Sequence, residues 1–185
     1  MPVYEVNDKE INPFPSNRMA YNEHFGCQFT SIILTNVYGP YDNFHLHKSH
    51  VLPGLIHKAY KAKNENTDFT VCGTGTPLRQ FIYSLDAGEL LVYILRHYPE
   101  IDPVLLTVGE DAEVTVKQVA EMVADSIDFK GSIVFDTSKL DGQHKKTATN
   151  AKLMKYFPDF KFTPLQQGIK ETLKWFMENI DIIRK

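Results

Sequence analysis

The chain has 185 residues, with 20 Lys and Arg against 23 Asp and Glu for a formal net charge of −3, and 43% of its residues are apolar. That suits one packed domain of ordinary size, and the balanced charge leaves no electrostatic case for a nucleic-acid or membrane-surface partner. The longest apolar runs, such as Ile32-Ile33-Leu34, fall far short of a bilayer span, no apolar stretch follows Met1, and Cys27 and Cys72 make no disulfide framework, so a cytoplasmic protein is expected.

Residues 1–17 are polar, contain Pro2, Pro13 and Pro15, and read as an arm or loop. Arg18 to Phe25 reads as two turns of helix stopped by Gly26. Phe29 to Tyr38 is β-branched and almost continuously apolar, the pattern of a strand covered on both faces, and Gly39-Pro40 ends it. Ser49 is an N-cap candidate for a helix over Val51–Lys63, with Pro53 tolerated in the first turn. Asp68–Cys72 and Gln80–Tyr83 read as short strands flanking the turn Gly73-Thr74-Gly75-Thr76-Pro77. Leu85–Tyr98 has helical spacing at Leu90, Leu91, Ile94 and Leu95, and Val104–Val108 is a strand closed by Gly109. Thr115 with Gln118 forms a capping box for a helix to Ile127. Ser132–Phe135 is a strand and Asn150–Phe157 a short helix. Thr163-Pro164-Leu165-Gln166 repeats the capping pattern for a helix running to the C-terminus. The class is α/β, with short mixed strands and about five helices.

None of the ten glycines falls in a Gly-x-Gly-x-x-Gly spacing, and no Tyr-x-x-x-Lys pair is present. Gly73-Thr74-Gly75 reads as a tight turn. His45, His47 and His50 lie within six residues, but their spacing matches no strong metal motif and Lys48 opposes a cation, so no metal is expected. One of these imidazoles can instead serve as a proton donor near neutral pH. Arg79, after the Gly-rich turn, can aim a bidentate fork at a phosphate or join an ordinary surface ion pair. The loop Asp141-Gly142-Gln143-His144-Lys145-Lys146 can hold a ribose or diphosphate, or be merely solvated. Trp175 and Phe176 read as core, and Cys72 as a small buried hydrophobe.

The run Thr35-Asn36-Val37-Tyr38-Gly39-Pro40-Tyr41-Asp42-Asn43-Phe44, with Ser49-His50-Val51-Leu52-Pro53 and Gly73 to Phe81, resembles the GDP-L-fucose synthase family of extended short-chain dehydrogenases/reductases. Phe135–Gly142 and Trp175-Phe176 agree with it, and the likeness covers Asn17 to the end. It implies the C-terminal part of an NAD-dependent epimerase/dehydratase-like α/β fold, with an incomplete Rossmann sheet and a smaller substrate-binding lobe. The implied division is a divergent arm over 1–17, a remnant of the NADP-binding Rossmann domain over 18–48, and mainly the GDP-sugar lobe over 49–185.

The family's activity is the NADP-dependent 3,5-epimerisation and 4-reduction of GDP-4-keto-6-deoxy-D-mannose, carried out by a homodimer. By position, the resemblance gives His50 the role of acid in epimerisation, close to the cofactor. It places Leu34, Thr35, Asn36 and Val37 along the nicotinamide side. Lys58, Cys72, Arg79 and Asp141 match substrate-binding positions, Arg79 as diphosphate anchor, and Lys146 falls where the family has a further basic residue. Cys72 stands where the family often has Trp. The family's Gly-rich turn and Tyr-x-x-x-Lys pair are not found in this chain, so NADP(H) binding and turnover by it alone are not expected. The other reading is a non-catalytic GDP-sugar-binding or dimerisation module.

Overall fold

The computed structural model describes residues 15–183. In chain order the elements are α1 (Pro15–Phe25), β1 (Ile32–Leu34), β2 (Asn36–Tyr38), α2 (Val51–Glu65), β3 (Phe69–Cys72), β4 (Leu78–Arg79), β5 (Phe81–Tyr83), α3 (Ser84–His97), β6 (Val104–Leu106), a 3-10 turn at Glu110–Ala112, β7 (Val114–Thr115), α4 (Val116–Ser126), β8 (Ile133–Asp136), α5 (Ala151–Tyr156) and α6 (Leu165–Glu178). Three strand pairs are parallel (β1 with β6, β2 with β5, β3 with β8), and β4 with β7 is antiparallel. The α/β class and most element positions agree with the sequence reading.

The first helix begins at Pro15, so the last residues of the expected arm belong to α1, where a proline's missing N–H costs nothing. The rest of that arm lies outside the described residues. Gly26 ends the helix at φ +66, its N–H donating to the Asn22 carbonyl at 2.9 Å.

The stretch from Phe29 to Tyr38 is not the doubly covered strand its composition predicts. It divides at Thr35 into β1 and β2, Phe29 and Leu34 are exposed, and only Tyr38 is buried. Among the described residues β1 has one hydrogen-bonded neighbour, β6, and a parallel strand is covered on both faces only inside a wider sheet.

Two hydrophobic cores form, and they interleave in sequence. The larger gathers Leu52, Leu55, Ile56, Ala59 and Ala62 of α2, Phe69 and Val71 of β3, Val119 and Val123 of α4, and Ile169, Leu173 and Phe176 of α6. The apolar positions of α2 and α6 recur at three- and four-residue intervals, which lays each stripe against the sheet. In α6, Gly168 is required by packing: a β-carbon there would meet the Tyr38 hydroxyl at 2.1 Å. The smaller core joins Ile82, Leu90, Ile94, Val104, Leu106 and Leu153, with Ile32 and Val37 packed against it.

The two capping patterns have different fates. Thr115 caps α4 as expected, its hydroxyl accepting from the Gln118 N–H at 3.1 Å while the Gln118 side chain accepts from the Thr115 N–H at 2.8 Å. Thr163 caps nothing. Its N–H and hydroxyl both donate, each at 2.7 Å, to the buried carboxylate of Asp86 on α3, and Gln166 donates to the Ser126 hydroxyl at 2.9 Å. Pro164 becomes the N-cap of α6, and the helix stops at Glu178, short of the C-terminus. At α2 the N-cap is His50 rather than Ser49.

The Asp86–Thr163 bridge ties the start of α3 to the entrance of α6, so Asp86→Ala is expected to destabilise the chain by about 2–3 kcal/mol in urea unfolding. An unchanged midpoint would show that the bridge contributes nothing. Alkali offers a second check. Burial, aided by the hydrogen bond to Glu171, pushes the Tyr83 hydroxyl up to about 12. An unfolded tyrosine titrates near ~10, so the stability Tyr83 contributes is complete below about pH 10 and is lost as pH rises through its folded value. Tyr83→Phe should flatten that alkaline decline in stability, and an identical slope in the variant would exclude Tyr83 as a source of it.

Candidate functional site

Helix α2 presents one face to the larger core and another to a cleft. His50, Gly54 and Lys58 recur every four residues and line a cavity of about 270 Å³. Gly54 between them carries no side chain, so the floor stays open; a β-carbon there would meet the Ser49 hydroxyl at 2.6 Å. The facing wall comes from Val71 and Cys72 at the end of β3, from the turn Gly75–Pro77, and from Arg79. Leu140, Asp141 and Gly142 form the rim.

The turn between β3 and β4 needs its glycines, since Gly73 and Gly75 adopt φ +83 and +77. A β-carbon on Gly73 would also meet the Asp141 carboxylate at 2.2 Å. That close approach lets Asp141 clasp the turn, accepting from the Thr74 N–H at 2.9 Å and from the Thr74 hydroxyl at 2.5 Å. The hydroxyl bond, with the N–H bond second, holds the Asp141 carboxyl below the usual carboxylate range, so it stays ionised.

Two cations and one carboxylate therefore face the cleft. Lys58 is half-buried and its ammonium donates to the Cys72 thiol at 3.3 Å. Cys72 is exposed, contrary to the sequence reading: along β3, Phe69 and Val71 turn inward, so strand alternation turns Thr70 and Cys72 outward. Arg79 makes no ion pair among the described residues. Its Nη1 donates to the Leu78 carbonyl at 2.6 Å, and its Nη2 lies 3.4 Å from where a Gly142 side chain would begin.

A second cavity, of about 410 Å³, adjoins β2 and is lined by Thr35, Asn36, Val37, Asp42 and Ser84 among others. His50 lines this cavity as well as the cleft and so stands between them. The Thr35 hydroxyl is buried without a hydrogen-bond partner among the described residues. The Asn36 amide is engaged, donating to the Gln80 carbonyl at 2.8 Å. Burial pushes the Asp42 carboxyl above its ordinary value, opposed by the Asn43 N–H and by the positive field of His50.

Of the residues singled out in the sequence, the cleft brings together His50, Lys58, Cys72, Arg79 and Asp141, and the second cavity Thr35, Asn36, Val37 and again His50. Leu34 is exposed on β1 and lines neither cavity, and Lys146 is exposed outside both. His45 and His47 pair with each other, the His47 N–H donating to His45 Nδ1 at 3.0 Å. Among the described residues no three His, Cys, Asp or Glu side chains converge to hold a metal ion. No described helix is long and apolar enough to cross a membrane.

The sequence reading missed Thr74, Asp42 and Gln80. Only Gln80 left a signal, as a polar residue at the head of the buried strand Phe81–Tyr83.

Residues 18–109 match the model of the NAD-dependent epimerase/dehydratase family. A GDP-L-fucose synthase of Dictyostelium discoideum is 54% identical over 199 residues, covering 99% of this chain and 62% of that protein. A probable GDP-L-fucose synthase of Drosophila melanogaster is 46% identical, covering 90% of this chain and 54% of that one. The crystal structure of a GDP-L-fucose synthetase from Naegleria fowleri bound to NADP superposes with a TM-score of 0.86 at 50% identity, over 91% of this chain and 53% of that one. The chain thus spans less than two thirds of the length of each. With parallel strand pairs between helices and His50 shared by the cleft and the second cavity, the chain has the α/β fold of the NAD-dependent epimerase/dehydratase family.

Proposed function

We propose that this chain provides the GDP-sugar-binding part of a GDP-L-fucose synthase, an enzyme that epimerises GDP-4-keto-6-deoxy-D-mannose at C3 and C5 and reduces it at C4. The observation that carries this reading is the position of His50, shared by a cation-lined cleft and a second cavity against β2. A nucleoside diphosphate brings two adjacent negative charges, and Arg79 and Lys58 are the cations available to meet them. Asp141, already ionised and fixed to Thr74, suits a sugar or ribose hydroxyl. The carbonyl of a 4-keto sugar acidifies the hydrogens at C3 and C5, so inversion needs a base on one side of the ring and an acid on the other. An imidazole at the junction can supply the acid. Lys146 would meet the substrate only from beyond the cleft lining.

NADP(H) fits the second cavity in part. The unpartnered Thr35 hydroxyl offers a hydrogen bond there, and the Leu34–Val37 backbone would border the nicotinamide end, with His50 beside it. When bound, the cofactor would supply the hydride that reduces C4. A Gly-rich diphosphate turn and a Tyr-x-x-x-Lys pair are absent from these 185 residues, so this chain's own groups bind and protonate the sugar but do not complete the reduction. By the same reading 18–48 is Rossmann-derived and 49–185 mainly the substrate lobe. The working enzyme is a cytoplasmic homodimer, a compartment consistent with the free thiols of Cys27 and Cys72. The absent reductive pair equally favours a second reading, a GDP-sugar-binding module without catalysis.

Calorimetric titration with GDP should give saturable binding, and Arg79→Ala should weaken it by about 1.5–3 kcal/mol, the scale of a charge-assisted hydrogen bond. Unchanged affinity in that variant would remove the diphosphate assignment. Given NADPH and GDP-4-keto-6-deoxymannose, the chain alone is expected to leave the NADPH absorbance constant. Measurable turnover would show that the reductive groups have been misjudged.

A further inference from the structure

Gln80 joins Arg79 at the end of β4 to Phe81 at the start of β5, and it is 1% exposed. Its side-chain amide is fully engaged, and none of its bonds goes to β4 or β5. The two N–H groups of Nε2 serve three carbonyls, those of Val108 at 2.9 Å, Gly109 at 3.1 Å and Ala148 at 2.9 Å, so one N–H is shared. Oε1 accepts from the Ala148 N–H at 2.7 Å. Ala148 is therefore held at both its N–H and its carbonyl by this one side chain. The main-chain carbonyl of Gln80 accepts the Asn36 amide of the second cavity.

The segment clasped in this way begins at the cleft. Asp141 and Gly142 form the rim, the His144 carbonyl accepts from the Leu78 N–H at 2.8 Å, and Ala148 closes on Gln80. Arg79 thus sits between two anchors, Leu78 at the middle of the Asp141–Ala148 segment and Gln80 at its far end. We infer that Gln80 is a positioning residue of the cleft: its amide clasp on Ala148 sets the Asp141–Ala148 segment against Arg79, so that guanidinium and rim are preset for an incoming diphosphate. The inference rests on the reading of the cleft as a diphosphate site. A group preset in this way is sensitive to small displacements, because an ångström of misplacement removes much of a directional contact.

The test compares Gln80→Met, which keeps the length of the side chain without donors or acceptor, with Gln80→Glu, which keeps its shape and loses both N–H donors. GDP affinity is measured by calorimetry on the whole chain, and amide hydrogen exchange is followed residue by residue. Both variants should bind GDP at least about tenfold more weakly. Exchange should quicken across residues 144–149 while the α4 and α6 core amides keep their protection. On an Arg79→Ala background, Gln80→Met should add no further loss, because the two residues act through one contact. Wild-type affinity in both variants, or a loss fully additive with Arg79→Ala, would overturn the role. So would quickened exchange throughout the core, which would make Gln80 a general stabiliser. A wild-type chain that binds no GDP would overturn the diphosphate reading and this role with it, whereas normal wild-type binding with unaffected variants would overturn this role alone.

Discussion

The parallel pairing of β2 with β5 organises the rest of the molecule. With Asn36 beside Phe81, Val37 beside Ile82 and Tyr38 beside Tyr83, strand alternation sends side chains to opposite faces. Tyr38, Phe81 and Tyr83 enter the larger core, while Ile82 enters the smaller and Val37 packs against it. One short pair of strands therefore serves as a wall of two cores. It also borders the second cavity, which Asn36 and Val37 line together with Thr35, and Asn36 donates to the carbonyl of Gln80, the residue just before β5. A slip of one residue would turn both aromatic sets into the wrong core, which makes the register stringent.

Helix α2 completes the arrangement by having two uses for its two faces. Leucines, isoleucine and alanines bury one face, and the opposite face places His50, Gly54 and Lys58 in a row along the cleft. The charges that face them are held by short-range chemistry. Asp141 is immobilised on Thr74, which the left-handed glycines of the turn permit, and the Arg79 guanidinium is tied back to the Leu78 carbonyl. Electrostatics in the cleft thus depend on backbone geometry more than on the number of charges present.

How much of this was legible in the sequence varied with the sequence distance of the partners. The Thr115–Gln118 capping box was readable because all its atoms lie within one helical turn. Thr163-Pro164-Leu165-Gln166 has the same local pattern, yet Thr163 answers to Asp86, 77 residues away, and Gln166 to Ser126, 40 residues away. Cys72 illustrates the converse. A cysteine in a strand is commonly buried, but whether it faces in or out depends on the register of β3 against β8 and on what covers each face. The apolar run Phe29–Tyr38 misled for a related reason, because composition reports what a strand can bury and not which neighbours are there to bury it.

By itself the sequence determined the α/β class and the sites of most helices and strands, which depend on periodicity and turn chemistry acting over a few positions. His50, Lys58, Arg79 and Asp141 were marked out as expectations by the family resemblance. Tertiary structure alone decided that His50 faces two cavities, that Lys58 meets Cys72, and that Leu34 and Lys146 stand apart from both. It alone revealed Gln80, whose partners at Asn36, Val108, Gly109 and Ala148 come from three separate stretches of chain. The physical reason is that a buried amide must find hydrogen-bond partners wherever packing brings them, and packing is a property of the whole fold.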